Sequence, residues 1–231
     1  KSWIQEQNEL TESFLSRVSC RQEIKDRMTQ LWDFEKYGLP AKRGDRYFYS
    51  YNDGLKNQPQ WFYQDGLTGE PKLFLDPNTL SEDGTTALTG AKASRDGKRF
   101  AYSLSQAGSD WQVWQVKDLE SGKDLEDRIE WVKFSSVSWD INNEGFYYSR
   151  YDAPTEEEKM TQSQYFQKLC YHKLGTPASE DPIIYERPDH KEWGFDGQVT
   201  DDGRYLVITV WKGSSSENSV FYKELTSPDA Q

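Results

Sequence analysis

The chain has 231 residues, with 28 Lys plus Arg against 39 Asp plus Glu and a formal net charge of −11. A phosphate-backbone partner is normally met by a basic face, so no nucleic-acid partner is expected. Mean hydropathy is −0.95 and no apolar run approaches the roughly 20 residues of a membrane helix, so no membrane partner is expected either. Aromatic residues reach 15% (9 Trp, 14 Tyr, 11 Phe), an excess of buryable side chains that excludes a disordered chain.

Residues 1–37 read as helical. Trp3, Leu10, Phe14 and Val18 recur at steps that share one helix face, and Ile24, Met28, Leu31 and Trp32 supply a second apolar stripe. Ser19 with Gln22 three positions on fits a capping box. Gly38 and Pro40 are expected to close the helical region.

From residue 38 onward the texture changes to short aromatic and β-branched runs separated by Asp-Gly, Ser-Gly and Asn turns. Four turn-then-strand signatures align: Gly44-Asp45-Arg46-Tyr47, Asp96-Gly97-Lys98-Arg99-Phe100, Asn143-Glu144-Gly145-Phe146 and Asp202-Gly203-Arg204-Tyr205. Their glycines follow one another at 53, 48 and 58 residues. Each signature leads into two or three strands, and another strand precedes three of them, as in residues 132–138 and 198–200. Four strands about every 50 residues is the spacing of a β-propeller blade. The expected fold is mainly β: three blades and an incomplete fourth of a propeller, behind a short helical segment. Unpaired edges of such a partial ring predict self-association. A short helix is expected at residues 155–159.

Chemistry is sparse. Cys20 and Cys170 form no metal or C-x-x-C spacing and read as free thiols. That suits a reducing, cytoplasmic compartment, with export left open because the chain starts at Lys1 without a leader or initiator Met. His172 reads as an ordinary strand residue and His190 as part of a solvated loop. The run Gly213-Ser214-Ser215-Ser216-Glu217 lacks the second glycine of a nucleophile elbow. Asp76-Pro77-Asn78 and Glu82-Asp83-Gly84 lack calcium-loop spacing and read as turns. Neither a metal, a cofactor nor a complete catalytic triad is expected in this chain.

Several segments are nevertheless specific. Phe74-Leu75-Asp76-Pro77-Asn78 with Leu80-Ser81-Glu82-Asp83-Gly84-Thr85, Gly108-Ser109-Asp110-Trp111, Trp131-Val132-Lys133-Phe134-Ser135, and Leu174-Gly175-Thr176 with Ser179-Glu180-Asp181 occur in the order found in prolyl oligopeptidases. The chain resembles that family along essentially its whole length. The resemblance implies a serine endopeptidase in which a seven-bladed propeller caps an α/β-hydrolase domain and admits only short peptides, cleaved after proline. Residues 1–37 would then pack with the hydrolase domain, and residues 38–231 would form the first half of the propeller. It further implies that Phe134 lines the substrate subsite beyond proline and that Asp110 is a cavity carboxylate. Family members often carry Met and Cys where this chain has Gly194 and Ser214, so bulk and a thiol are expected to be missing there. Two alternatives stay open: a non-catalytic propeller serving as an interaction module, and a peptide macrocyclase of the same family.

Overall fold

Backbone hydrogen bonding divides the β region into four antiparallel sheets. A computed structural model describes residues 2–155 and 165–227. The first sheet runs β3 (Arg46–Asn52), β4 (Gln60–Asp65), β5 (Lys72–Leu75), with β1 (Lys36–Tyr37) and β2 (Ala41–Arg43) both on the free side of β3. The second runs β6 (Thr86–Ala93), β7 (Arg99–Gln106), β8 (Gln112–Asp118), β9 (Asp124–Val132). The third runs β10 (Ser138–Trp139), β11 (Gly145–Arg150), β12 (Lys168–Lys173), β13 (Ile183–Tyr185). The fourth runs β14 (Trp193–Val199), β15 (Tyr205–Lys212), β16 (Asn218–Glu224). Order in sequence is order in space, the up-and-down arrangement of propeller blades.

Three buried clusters lie between successive sheets, and strand alternation divides side chains between them. In β7, Phe100 and Tyr102 join Phe48 and Tyr63 of the first sheet, whereas Ala101 joins Trp139 and Phe146 of the third. In β11, Phe146 and Tyr148 face the second sheet while Tyr147 packs with Phe195 and Leu206 of the fourth. Each fully buried ring removes on the order of 200 Å² from water. The aromatic excess is therefore the material between the blades.

The repeated turns also join blades. A Cβ on Gly97 would collide with the Arg43 carbonyl, one on Gly44 with the Asp96 carbonyl, and one on Gly203 with Ile141. Asn143 Oδ1 accepts from the Asp96 amide at 3.2 Å, and Arg99 donates to the Asn143 carbonyl at 3.1 Å. Each Gly turn after the first thus nests against the turn of the preceding blade.

Helices α1 (Ser2–Leu15) and α2 (Arg21–Trp32) bury no residue against the sheets. Three expectations are corrected here. Helix ends at Trp32, and Lys36–Tyr37 pairs with β3 because the chain must extend to join the sheet. The capping box does not form: Cys20 occupies the N-cap without a side-chain bond, and the Gln22 amide donates to Asp26 instead. Residues 132–138 do not form a continuous strand; Val132 ends β9, Ser138 begins β10, and between them Phe134 adopts a positive φ of 50°, outside the β region. Residues 156–159 of the expected short helix lie outside the described residues.

Candidate functional site

In an antiparallel blade, the loop between second and third strands and the link to the next blade lie at the same end. Asp110 lies in the β7–β8 loop and Phe134 in the link from β9 to β10. Gly194 is the second residue of β14, just past the link from β13, and Ser214 lies in the β15–β16 turn. All four therefore occupy one end of the propeller, opposite the Gly turns.

Phe134 is 62% exposed, an apolar ring presented to the outside on a left-handed backbone. Its loop is braced on both sides. Lys133 places its ammonium 4.2 Å from the Trp111 ring centre, and Trp111 packs edge-on against Trp131 and Tyr151. Because Asp110 precedes Trp111, these contacts bring Asp110 and Phe134 into one neighbourhood. Asp110 is exposed, in a bend whose Ser109 hydroxyl accepts from the Trp111 amide at 3.1 Å. On the other side, Gln167 Nε2 donates to the Lys133 carbonyl at 2.9 Å, while Gln167 Oε1 accepts from the Phe195 amide at 2.7 Å. Ser149 donates its hydroxyl to the Phe195 carbonyl at 2.6 Å and its amide to Ser135 Oγ at 2.8 Å. Phe134 is thereby tied to the strand that carries Gly194.

Gly194 pairs with Trp211 across β14 and β15, and the indole lies where a residue-194 side chain would stand. The bulk expected to be missing is supplied from the neighbouring strand. Trp193 beside it carries a face-to-face His190 ring at 3.9 Å and cations from Arg187 and Lys212 at 4.7 and 4.9 Å. His190 lies in a loop, as the sequence reading expects, and is partly exposed with its ring stacked on the indole. Ser214 is exposed in the turn that follows.

The other histidine lies in strand β12, as its sequence reading expects, but its ring is engaged on both sides. His172 is fully buried between two carboxylates, with Nε2 at 3.0 Å from Asp127 and Nδ1 at 3.0 Å from Asp181. Burial alone would lower its pKa, but the hydrogen bonds and charges of Asp127 and Asp181 prevail and hold it up at about 9. Burial would raise Asp127; the bonds from His172 and the Gly175 amide keep it below the usual carboxylate range. Both imidazole nitrogens are committed to carboxylates, so this His–Asp pairing joins the second and third blades and does not serve a serine. Sequence could not reveal it, since Asp127 and His172 are 45 residues apart.

The innermost strands line a cavity of about 440 Å³ that includes Lys42, Lys92, Ser138 and Gln198. Arg95 closes its Gly-turn end, donating to the carbonyls of Trp139, Val199, Thr200 and Asp201 at 2.8–3.3 Å. Among the described residues, no group of His, Cys, Asp and Glu is arranged to hold a metal ion, and no helix is long and apolar enough to cross a membrane.

Over residues 1–231 the chain matches the family described as prolyl oligopeptidase, N-terminal β-propeller domain. It is 36% identical over 225 residues to a prolyl endopeptidase of Elizabethkingia meningoseptica, covering 97% of this chain and 32% of that protein. It is 32% identical to the dual function macrocyclase-peptidase POPB of Galerina marginata, covering 96% of this chain and 33% of the relative. Among solved structures, prolyl oligopeptidase B of Galerina marginata bound to a 35-residue hydrolysis and macrocyclization substrate superposes with a TM-score of 0.89 at 29% identity, covering 100% of this chain and 35% of that one. The chain spans about a third of the length of the curated relatives it matches. A mainly β chain of blade-like sheets, with whole-length matches of this kind, belongs to the prolyl oligopeptidase family and represents part of its N-terminal propeller domain.

Proposed function

We propose that the parent protein is a serine-type prolyl endopeptidase that cleaves short peptides after proline, and that these residues form the gating half of its propeller. Phe134 would line the subsite beyond proline, with Trp211 over Gly194 as a second apolar surface. Asp110 and Ser214 would contribute polar groups to the rim. The observation that carries this reading is the exposed, braced Phe134 at the same end as the other three positions. Apolar residues on α1 and α2, among them Trp3, Phe14, Met28 and Trp32, are each more than 60% exposed, which supports their packing with a catalytic domain that supplies Ser, Asp and His.

The full-length protein assayed on a chromogenic Gly-Pro substrate is expected to release chromophore in a reaction blocked by a serine-directed inhibitor. Absence of such cleavage would overturn the reading in favour of a non-catalytic interaction module. The macrocyclase-peptidase relative supports a second reading, ring closure of longer peptides. Mass spectrometry separates the two, because a cyclic product is lighter than the linear one by one water.

A further inference from the structure

We infer that Gln167 is a positioning residue for substrate recognition, setting Phe134 in place relative to the Gly194–Trp211 edge of the fourth blade. The inference rests on the proposed prolyl endopeptidase reading. Gln167 is 1% exposed, and both ends of its amide are used on main-chain groups of other elements. One bond reaches the residue before Phe134 and the other the residue after Gly194. Its own backbone is anchored, since the preceding residue, Phe166, donates its amide to the Lys191 carbonyl at 2.7 Å.

The chemistry calls for glutamine. A carboxamide offers a donor and an acceptor a fixed distance apart; a glutamate at neutral pH has no donor for the Lys133 carbonyl, and a leucine has neither group. Phe134 itself stands in a backbone conformation that opposes a side chain with a Cβ, so it stays there only while its neighbours hold it. Those neighbours are fixed on both sides: Lys133 by Gln167, and Ser135 by the Ser149 amide. Ser149 also grips the Phe195 carbonyl, so Phe195 is bound at both its N–H and its C=O by the two residues that brace the Phe134 loop. A shift of the Gln167 amide would therefore move the exposed ring against the Trp211 surface and leave the blade cores between them intact.

The test uses the full-length enzyme with two chromogenic prolyl substrates, one ending at the residue before proline and one carrying a further apolar residue that reaches Phe134. Gln167→Leu is expected to raise KM for the longer substrate roughly tenfold, with kcat little changed and the shorter substrate unaffected. In a Phe134→Ala background the same change should have almost no further effect, because the coupling acts through that ring. Equal losses on both substrates, or losses that add to those of Phe134→Ala, would overturn the inference. Gln167→Glu, which keeps size and the acceptor for Phe195, decides the matter if the leucine variant does not fold. Hydrogen exchange gives a readout independent of activity: residues 131–137 should exchange faster in either variant while residues 205–210 stay protected. Unchanged exchange at 131–137 refutes the inference even if the enzyme cleaves, whereas a wild type that cleaves no prolyl substrate refutes only the functional reading.

Discussion

A neutral imidazole has one N–H, yet His172 presents both ring nitrogens to carboxylates at hydrogen-bond distance. The protonated ring, donating from both nitrogens, is the form that satisfies Asp127 and Asp181 together. Tyr148 donates its hydroxyl to Asp181 at 2.7 Å, while burial and then Asp181 push that phenol above its ordinary value. Cys170, nearby in β12, has its thiol pushed up to about 11 by burial, so its own contribution to stability is lost only above about pH 9, beyond most of the His172 window. The folded pKa of about 9 lies above the ordinary 6.5, so the stabilisation is fully present below pH 6.5 and is lost as pH rises through 9. Asp127 has the opposite sign: its lowered pKa stabilises above the usual carboxylate range and loses effect as acid protonates it. Thermal denaturation of the full-length protein should show a plateau near pH 6 and a loss on the order of 3 kcal/mol by about pH 9.5. His172→Gln should lower stability at pH 6 and remove most of the loss between pH 6.5 and 9; a loss in that range that survives the substitution would assign it elsewhere.

At the scale of elements, the glycine turns carry two separable burdens. Gly97 and Gly122 have nearly the same φ, 71° and 72°, but a Cβ at Gly97 would strike the Arg43 carbonyl while one at Gly122 meets nothing within 4 Å. Gly122→Ala should therefore show the left-handed penalty alone, about 1 kcal/mol. Gly97→Ala should lose about 1–3 kcal/mol more, because two turns must separate. Chemical denaturation of both variants measures the difference, and equal losses would mean that the turns do not bear on each other. These turns were legible in sequence because their chemistry is local: Asp or Asn, Gly, then an alternating aromatic strand. The end of the helical segment was less so, since nothing local shows that Lys36–Tyr37 would pair with β3. The Phe134 loop misled for a related reason. Its Trp-Val-Lys-Phe run has strand composition, but Gln167, 34 residues away from Lys133, decides its backbone. Trp211 over Gly194 likewise needed the β14–β15 register, which composition alone does not supply.

Across the whole molecule, what these 231 residues leave uncovered follows from what each face lacks. Between the four sheets, rings are packed on both sides; on β16, Val220 and Tyr222 are 66% and 70% exposed, and among the described residues only one edge of that strand is paired. The helices present a second apolar surface, with Trp3 and Phe14 about as exposed as those strand residues. Neither surface is sheltered by charge alone, even at a net charge of −11, because exposed backbone groups on a strand edge accept any partner strand. Residues 1–231 produced alone should therefore sediment as oligomers at micromolar concentration and enhance the fluorescence of a hydrophobic dye. Removing residues 1–35 should reduce the dye signal but leave the oligomers, because the β16 edge remains. A parent protein of the proposed kind, whose catalytic domain and remaining blades would cover both surfaces, should show neither behaviour. A monomeric 231-residue chain would mean that twist and charge along β16 suffice to guard the edge, and that the exposed strand face is not by itself adhesive.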